Sequence, residues 1–314
     1  MKLVGVAMVR NEADIVEAFV RHNLRVLDHL VVIDHGSDDA TGRILLRLRE
    51  EGLALTLGLD RSVAFEQGRV VSTAMRAALA SNDADFGFAF DADEFIVAES
   101  RVALEQSLAR LGDDDVGAIR WSLYVPSPDA AAHDHPFARL RHRVVDERVT
   151  MRKVVVPRTF ATRPDRWIDA GNHWVFDAGP GRQSIVAALD IDARLAHLPF
   201  RSVAQTAQKV VLGYFAQRLA FGGGEATAHI GWHWRHVYDR ILERGLEPAD
   251  LALLAKQSYL GGRPFEHAAE LSAPDCVEDP LPIRDDLRYT DAASVDPLAR
   301  LAQWIERLLD SSAR

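Results

Sequence analysis

Four apolar runs alternate with three amphipathic stretches over the first ninety residues, and this alternation constrains the fold more than any other feature. The runs cover residues 3–9, 30–33, 53–57 and 86–90. Such continuous apolar runs are typical of strands that are buried on both faces. Strands separated by helices predict a parallel sheet with right-handed crossovers and helices on both faces. We therefore expect an α/β fold with a mostly parallel central sheet.

The pattern changes after residue 100, where a helix near residues 101–111 is followed by strand-like segments. These segments are predicted to be antiparallel additions that close over the sheet edge, and they cover residues 116–125, 149–156, 167–176 and 184–195. Beyond Pro199 the sequence predicts helices at residues 203–215, 228–244 and 248–259, an extended strap at 271–297 and a terminal amphipathic helix at 298–309. We expect one α/β region over residues 1–200 and a helical extension over 201–314, packed on it.

Composition excludes several classes of protein. The formal charge of -9 over 314 residues argues against a nucleic-acid partner, whose binding rests on neutralising phosphates. The single cysteine, Cys276, excludes an intrachain disulfide and a cysteine-rich zinc site, and fits a reducing compartment. We find neither a signal-peptide pattern nor an apolar run of about 18 residues that would span a membrane. We expect a cytoplasmic protein without a transmembrane segment, and peripheral contact with a membrane stays open.

Acidic residues follow two of the predicted strands. Asp34 follows the second strand, and Asp91 and Asp93 follow the fourth. Residues i and i+2 of an extended backbone point to the same side, so Asp91 and Asp93 are expected to present two carboxylates to one point. Oxygen ligands suit Mg²⁺ or Mn²⁺, and ligands of open α/β sheets bind at this edge. The competing interpretation is that these acids only cap the following turn.

Missing motifs exclude three common alternatives. No Gly-x-Gly-x-x-Gly follows the first strand and no Gly-x-x-x-x-Gly-Lys-Ser/Thr occurs, so a Rossmann dehydrogenase and a P-loop enzyme are not expected. A phosphatase using Asp-x-Asp-x-Thr is excluded because Phe95 stands at the position of the threonine. The loop after the first strand instead contains Asn11, which is predicted to cap the helix that follows.

Three short motifs, in this order, resemble those of family-two glycosyltransferases with the GT-A fold. They are Val9-Arg10-Asn11-Glu12, Asp34-His35-Gly36-Ser37-Asp38-Asp39-Ala40-Thr41 and Asp91-Ala92-Asp93-Glu94-Phe95. The last motif is similar to that of the branch whose metal motif ends in Asp-Glu-Phe, and the likeness covers about residues 1–100. The resemblance implies a metal-dependent, inverting glycosyltransferase in which residues 1–100 bind the nucleotide sugar and residues 101–200 form the acceptor half.

The resemblance also implies roles for individual side chains. Those expected to bind the nucleotide sugar are Val9, Asn11, Glu12, Asp34, Ser37, Arg76 and Asp91, with Asp34 on the base. Those expected to bind Mn²⁺ or Mg²⁺ are Asp91, Asp93 and His197, of which the histidine lies where a strand gives way to a helix. The acid pair that the family usually uses in catalysis is not recognisable in this sequence.

The best candidates for a catalytic base lie in residues 167–174, where polar groups interrupt an aromatic strand pattern. Either Asp169 or His173 is expected to remove the proton of an acceptor hydroxyl. The alternative is a turn between two strands whose polar groups satisfy only one another.

These features together predict an enzyme that moves a sugar from a nucleotide-diphosphate donor to a hydroxyl of a glycan or lipid-linked acceptor, in polysaccharide or glycoconjugate synthesis. Two alternatives stay open: a catalytically inactive GT-A-like binding or scaffold protein, and a sugar nucleotidyltransferase. Asp91 and Asp93 argue against the scaffold, because two unpaired acids repel one another without a cation. A nucleotidyltransferase would need a glycine-rich loop after the first strand. The donor sugar, the base, the linkage and the oligomeric state stay open as well.

Overall fold

The computed structural model describes residues 1–62, 66–126, 137, 140–145, 151–179, 182–221, 232–259, 276–283, 287–291 and 305. The strands in chain order are β1 (Leu3–Val9), β2 (His29–Asp34), β3 (Leu55–Leu59), β4 (Phe86–Phe90), β5 (Glu94–Val97), β6 (Val116–Val125), β7 (His142–Val144), β8 (Arg152–Pro157), β9 (Arg166–Ile168), β10 (Val175–Gly179), β11 (Arg182–Ile185), β12 (Ala188–His197) and β13 (Cys276–Glu278). The helices are α1 (Val16–Asn23), α2 (Thr41–Glu50), α3 (Gln67–Ser81), α4 (Arg101–Leu108), α5 (Val203–Phe221), α6 (Trp232–Arg244) and α7 (Pro248–Tyr259).

The central sheet has a parallel half made by the first four strands. Its path runs β13-β7-β6-β8-β4-β1-β2-β3, and the pairs β1–β4, β1–β2 and β2–β3 are all parallel. The carboxyl ends of β4, β1 and β2 therefore lie side by side at one edge. This parallel half confirms the prediction from the alternating pattern, and it brings the loops after these strands together.

Helices cover both faces of the sheet, as predicted. Alternate residues of β1 belong to two separate cores because successive side chains of a strand point to opposite faces. Leu3 and Ala7 pack in the core that holds apolar residues of α1, α2 and α4. Val4 and Val6 pack in the core that holds apolar residues of α3. Strands β1 and β4 are thus buried on both sides, which explains their continuous apolar sequence.

The second half of the chain differs in part from the sequence prediction. Strand β8 pairs antiparallel with both of its neighbours, β4 and β6, as expected. The segment 167–176 is not one strand, because a turn separates β9 from β10, and both belong to a small sheet with β11. Strand β12 pairs antiparallel with β5 but parallel with β6, so the antiparallel prediction is wrong for that pair. The chain from β6 to β12 passes through β7, β8 and the small sheet, and this long connection allows β12 to enter parallel to β6.

The described part of the C-terminal region packs against β6 and β7. Apolar residues of α5, α6 and α7 form a third core with side chains of these strands. The strap is described at residues 276–283 and 287–291, where β13 pairs with β7 and Glu17 of α1 accepts backbone N–H groups of Arg288, Tyr289 and Thr290. The terminal helix predicted at 298–309 lies outside the described residues apart from Ile305. Within the described chain, no helix combines the length and apolar composition needed to cross a membrane.

Candidate active site

Two loops at the carboxyl edge of the sheet are joined by hydrogen bonds. The Asn11 N–H donates to Ser37 Oγ (3.0 Å), and Asn11 Oδ1 accepts from the Asp38 N–H (2.8 Å). The Glu12 N–H donates to Thr41 Oγ1 (2.8 Å). The prediction that Asn11 caps α1 is therefore wrong: its side chain binds the neighbouring loop, and α1 begins later, after Ile15. Asn11 itself has a left-handed backbone with φ 57°.

Asp34 lies at the end of β2 beside these loops. Its Oδ1 accepts the Ser37 N–H at 2.8 Å. Gly42 of α2 approaches the other oxygen so closely that an added Cβ would lie 3.0 Å from Asp34 Oδ2. The Val9 carbonyl accepts the His35 N–H at 2.8 Å, which keeps the two strand ends in register. The structure thus brings Val9, Asn11, Glu12, Asp34 and Ser37 to one edge of the sheet, as the sequence motifs predict.

The acidic motif forms a tight turn rather than a continuation of the strand. Strand β4 ends at Phe90, residues 91–93 turn, and β5 begins at Glu94. The Glu94 N–H donates to the Asp91 carbonyl (3.2 Å), and the Asp91 N–H donates to Glu94 Oε2 (2.8 Å). The extended geometry that we expected for Asp91 and Asp93 is therefore wrong, and the two carboxylates bind different partners.

Asp91 is held by side chains from three elements. Its Oδ2 lies 2.5 Å from Lys153 Nζ, and its Oδ1 accepts from Gln67 Nε2 (2.8 Å) and Asn172 Nδ2 (3.4 Å). The Lys153 side chain is 1% exposed, and Nζ also donates to the Gly171 carbonyl (2.8 Å) and lies 3.2 Å from Glu94 Oε1. A buried lysine thus connects the acidic turn with the turn at residues 169–174.

Asp93 points to a second group of side chains. It is ion-paired with Lys209 of α5, and it lies 3.8 Å from His197 Nε2 and 3.9 Å from Arg201 Nη1. Asp93, Glu94 and His197 each offer one ligand atom, and these three atoms lie within 4.8 Å of one another. Among the described residues this group is the candidate cation site. It includes Glu94, which our sequence analysis did not assign, and it does not include Asp91.

The acidic cluster, which we define as Glu12, Asp14, Asp91, Asp93 and Glu94, carries more negative charge than its partners balance. Ion pairs join these five carboxylates to three cations, Lys153, Arg201 and Lys209. Fully ionised, these five carboxylates would exceed the three cations paired with them in the described part of the chain by two negative charges. Burial accordingly raises the pKa of Glu94 and of Glu12 above their ordinary values. Burial also raises the pKa of Asp93, but its cationic neighbours, Lys209 above all, outweigh this effect and lower it.

The surroundings of His197 favour the neutral form of its imidazole ring, which is the form that binds metals. It is the last residue of β12, where it pairs with Glu94 of β5. Its ring stacks on Trp121, with ring centroids 4.1 Å apart, and burial lowers the pKa of His197 to about 3. Because metals bind the neutral imidazole, this environment favours coordination. Two carboxylates and an imidazole, within a cluster whose full ionisation would leave an excess of negative charge, fit a divalent cation such as Mn²⁺.

The two candidate bases lie on one turn between β9 and β10 but differ in their surroundings. Asp169 Oδ1 accepts the backbone N–H groups of His173 (2.7 Å) and Trp174 (2.9 Å), so this carboxylate stabilises the turn. His173 Nδ1 lies 2.7 Å from the Arg152 carbonyl. Because a carbonyl only accepts, Nδ1 carries the proton in the neutral ring and Nε2 is the basic nitrogen. The ring of His173 also packs edge-on against Trp121, with centroids 5.1 Å apart.

Arg76 is not brought to the acidic cluster. It lies nine residues after Gln67 on α3, about 13 Å along the helix axis from the residue that contacts Asp91. Its guanidinium donates to the carbonyls of Ser72 (3.2 Å) and Arg163 (3.2 Å), and it lies 4.8 Å from the centre of the Phe160 ring. These contacts connect α3 with the segment before β9.

Comparison with known proteins gives distant structural matches. No family model and no curated protein matches the chain. The chain is similar to the mannosyltransferase from Pyrobaculum calidifontis in complex with GDP-Man and Mn²⁺, with 21% identity, 82% of this chain and 79% of that chain covered, and a TM-score of 0.39. It is also similar to glucosyl-3-phosphoglycerate synthase from Mycobacterium tuberculosis in complex with Mn²⁺ and UDP, with 17% identity, 39% and 44% covered, and a TM-score of 0.26.

Proposed function

We propose that this protein is a metal-dependent, inverting glycosyltransferase with a GT-A type fold, which transfers a sugar from a nucleotide-diphosphate donor to an acceptor hydroxyl. The proposal rests on one observation: the joined loops after β1 and β2 and the candidate cation site lie at the same edge of the sheet. The loops after β1 and β2 lie beside the turn after β4, and this turn together with the first residue of β5 contributes Asp93 and Glu94 to the group that also contains His197. Ligands of open α/β sheets bind at such edges.

The donor would lie across adjacent strand ends. Asp34 at the end of β2 would accept a hydrogen bond from the base or ribose, and the joined loops that contain Asn11 and Ser37 would line the same pocket. The diphosphate would lie toward the turn after β4. Residues 1–100 are the nucleotide-binding half in this proposal, residues 101–200 are the acceptor half, and residues 201–314 are the helical extension.

Asp93, Glu94 and His197 would hold the cation, Mn²⁺ or Mg²⁺. When bound, such a cation neutralises the charge that develops on the departing nucleoside diphosphate. Asp91 has a different role in this proposal. It is bound by Lys153, Gln67 and Asn172, and it would keep the turn at residues 169–174 at a fixed distance from the acidic turn.

His173 is the better candidate for the base. Its Nε2 is the basic nitrogen of the neutral ring, whereas an oxygen of Asp169 is used by two backbone N–H groups. His173 would remove the proton of the acceptor hydroxyl as that oxygen attacks the anomeric carbon from the face opposite the diphosphate, which inverts this carbon. A glycan or lipid-linked acceptor and a cytoplasmic location stay predictions.

The test is a turnover assay with a panel of UDP-, GDP-, CDP- and ADP-sugars. Each is incubated with the protein and Mn²⁺, and release of the nucleoside diphosphate is followed with and without simple glycan acceptors. We expect release from one donor class by the wild type and none by Asp93→Asn. The matched control is Asp192→Asn, because Asp192 is 70% exposed and pairs with Arg110. If no donor is consumed while one of them binds, the chain is the inactive binding protein instead.

A further inference from the structure

Three cationic side chains surround the acidic cluster, and they differ in how firmly they are held. Arg201 is fully buried and binds Asp14, Glu12 and the Leu198 carbonyl. Lys153 is 1% exposed and binds Asp91, Glu94 and the Gly171 carbonyl. Both therefore have several partners that would have to be given up before they could move.

Lys209 is held much less firmly. Its side chain is 26% exposed, and its hydrogen bond within the described chain is to Asp93 Oδ2. It lies in the second turn of α5, which starts at Val203, and reaches the cluster through its flexible four-carbon stem. A lysine ammonium is a compact, strongly hydrated charge, so its movement toward solvent costs less than that of either buried cation.

The position of Lys209 conflicts with that of a bound metal. Asp93 is one of the three side chains whose ligand atoms form the candidate cation site. A divalent cation there and the Lys209 ammonium would both need the Asp93 carboxylate, and like charges at such short distance repel strongly where water is excluded. Lys209 and a metal therefore cannot both occupy their best positions.

We infer that Lys209 is a displaceable counter-ion, which neutralises Asp93 in the metal-free protein and turns to bind the donor's diphosphate once a metal takes its place. This inference rests on the proposed function. It explains why this cation, of the three, is partly exposed. It also gives the site an order of binding: the metal enters first, and the displaced ammonium then completes the phosphate site.

Isothermal titration calorimetry tests separately whether a metal displaces Lys209 from Asp93 and whether Lys209 then binds the diphosphate. MnCl₂ is titrated into the metal-stripped wild type and into Lys209→Met, which keeps most of the side-chain length and removes its charge. We expect the variant to bind Mn²⁺ about tenfold more tightly, because the competing charge is gone. Lys209→Arg keeps a positive charge at this position, so its affinity for Mn²⁺ is expected to stay within about threefold of that of the wild type.

The second titration uses the nucleoside diphosphate that the wild type binds best, at saturating Mn²⁺. We expect Lys209→Met to bind it about ten- to a hundredfold more weakly, because a charge-assisted hydrogen bond is lost. Circular dichroism and metal-free melting establish that both variants are folded.

The two titrations distinguish failure of the inference about Lys209 from failure of the proposed function. If the wild type binds Mn²⁺ and a nucleoside diphosphate but Lys209→Met binds Mn²⁺ no more tightly than wild type, the displacement is wrong and the proposed function stands. If Mn²⁺ binding tightens while nucleoside-diphosphate binding is unchanged, Lys209 does not bind the diphosphate. If the wild type binds no nucleoside diphosphate at all, the proposed function itself fails.

Discussion

Lys153 Nζ lies 2.5 Å from Asp91 Oδ2, and this buried contact joins two regions that are distant in sequence. Lys153 belongs to β8, whereas Asp91 begins the acidic turn after β4, and the two strands run antiparallel. The same ammonium group donates to the Gly171 carbonyl in the turn that contains His173. The proposed metal site and the proposed base are thus connected through one lysine.

Removal of this lysine should destabilise the fold strongly. Lys153→Met leaves the fully buried Glu94 without its cationic partner, and loss of one partner of a buried pair costs about 3–5 kcal/mol of unfolding free energy. The double variant Lys153→Met with Glu94→Gln removes the carboxylate of Glu94 but leaves that of Asp91 without this cation, so it should recover part of that loss. Urea unfolding measures both, with exposed Lys2→Met as the control. A single variant as stable as the wild type would contradict this electrostatic account.

Two substitutions on one turn distinguish the candidate bases. His173→Asn removes the basic nitrogen but keeps an amide that can donate to the Arg152 carbonyl, so kcat should fall about 10²- to 10⁴-fold while nucleoside-diphosphate affinity changes little. Asp169→Asn keeps an oxygen for the two backbone N–H groups and should retain most activity. Steady-state kinetics and calorimetry measure both. If Asp169→Asn lost much more activity than His173→Asn, Asp169 would be the base.

The parallel half of the fold is predictable from sequence because its signals are local. Strands β1 and β4 are continuous apolar runs, β2 and β3 are short and mostly apolar, and each helix between them has its own periodicity. The motif residues Val9, Asn11, Asp34 and Ser37 meet because they follow neighbouring strands. Local pattern and global topology agree over this part of the chain.

The rest of the site depends on contacts between distant segments, which no local pattern encodes. Lys153 lies in a strand whose basic neighbours are typical of a solvated face, yet its partner Asp91 is 62 residues away. Arg201 reaches Asp14 across 187 residues. The pattern of the acidic motif predicts extended backbone, in which Glu94 points away from Asp91 and Asp93, whereas the turn in the structure redirects each side chain. The one available signal was the acidic residue directly after Asp93 in the motif.

Glu17 should make the attachment of the strap dependent on pH. Burial raises the pKa of Glu17, but hydrogen bonds from the backbone of Arg288 and Tyr289 and from Arg21 outweigh this and lower it below 4.5. Because the pKa of Glu17 is lower in the folded than in the unfolded protein, the stabilisation that its charge provides is complete at pH values above the unfolded-state pKa. It is lost as the pH falls through the folded-state pKa. Glu17→Gln should therefore cost about 1–3 kcal/mol of unfolding free energy at pH 7.

The difference between wild type and Glu17→Gln should shrink as the pH is lowered from 5 toward 2, since protonation removes the same charge from the wild type. Urea unfolding at several pH values measures this difference. The exposed Glu50→Gln on α2 serves as the control, because Glu50 is 63% exposed and pairs only with Arg47 in the described chain. A pH-independent difference would mean that the charge of Glu17 does not hold the strap.

The most direct test of the central claim is thermal unfolding with a panel of nucleoside diphosphates, each with and without Mn²⁺, on wild type, Asp93→Asn and Asp192→Asn. A ligand at a hundred times its dissociation constant should stabilise the fold by about 2.7 kcal/mol. We predict that one nucleoside diphosphate raises the melting temperature of wild type and Asp192→Asn only when Mn²⁺ is present, and that Asp93→Asn shows no such rise. An equal rise in Asp93→Asn, or none in the wild type with any nucleotide, would contradict a metal-dependent nucleotide site at this edge of the sheet.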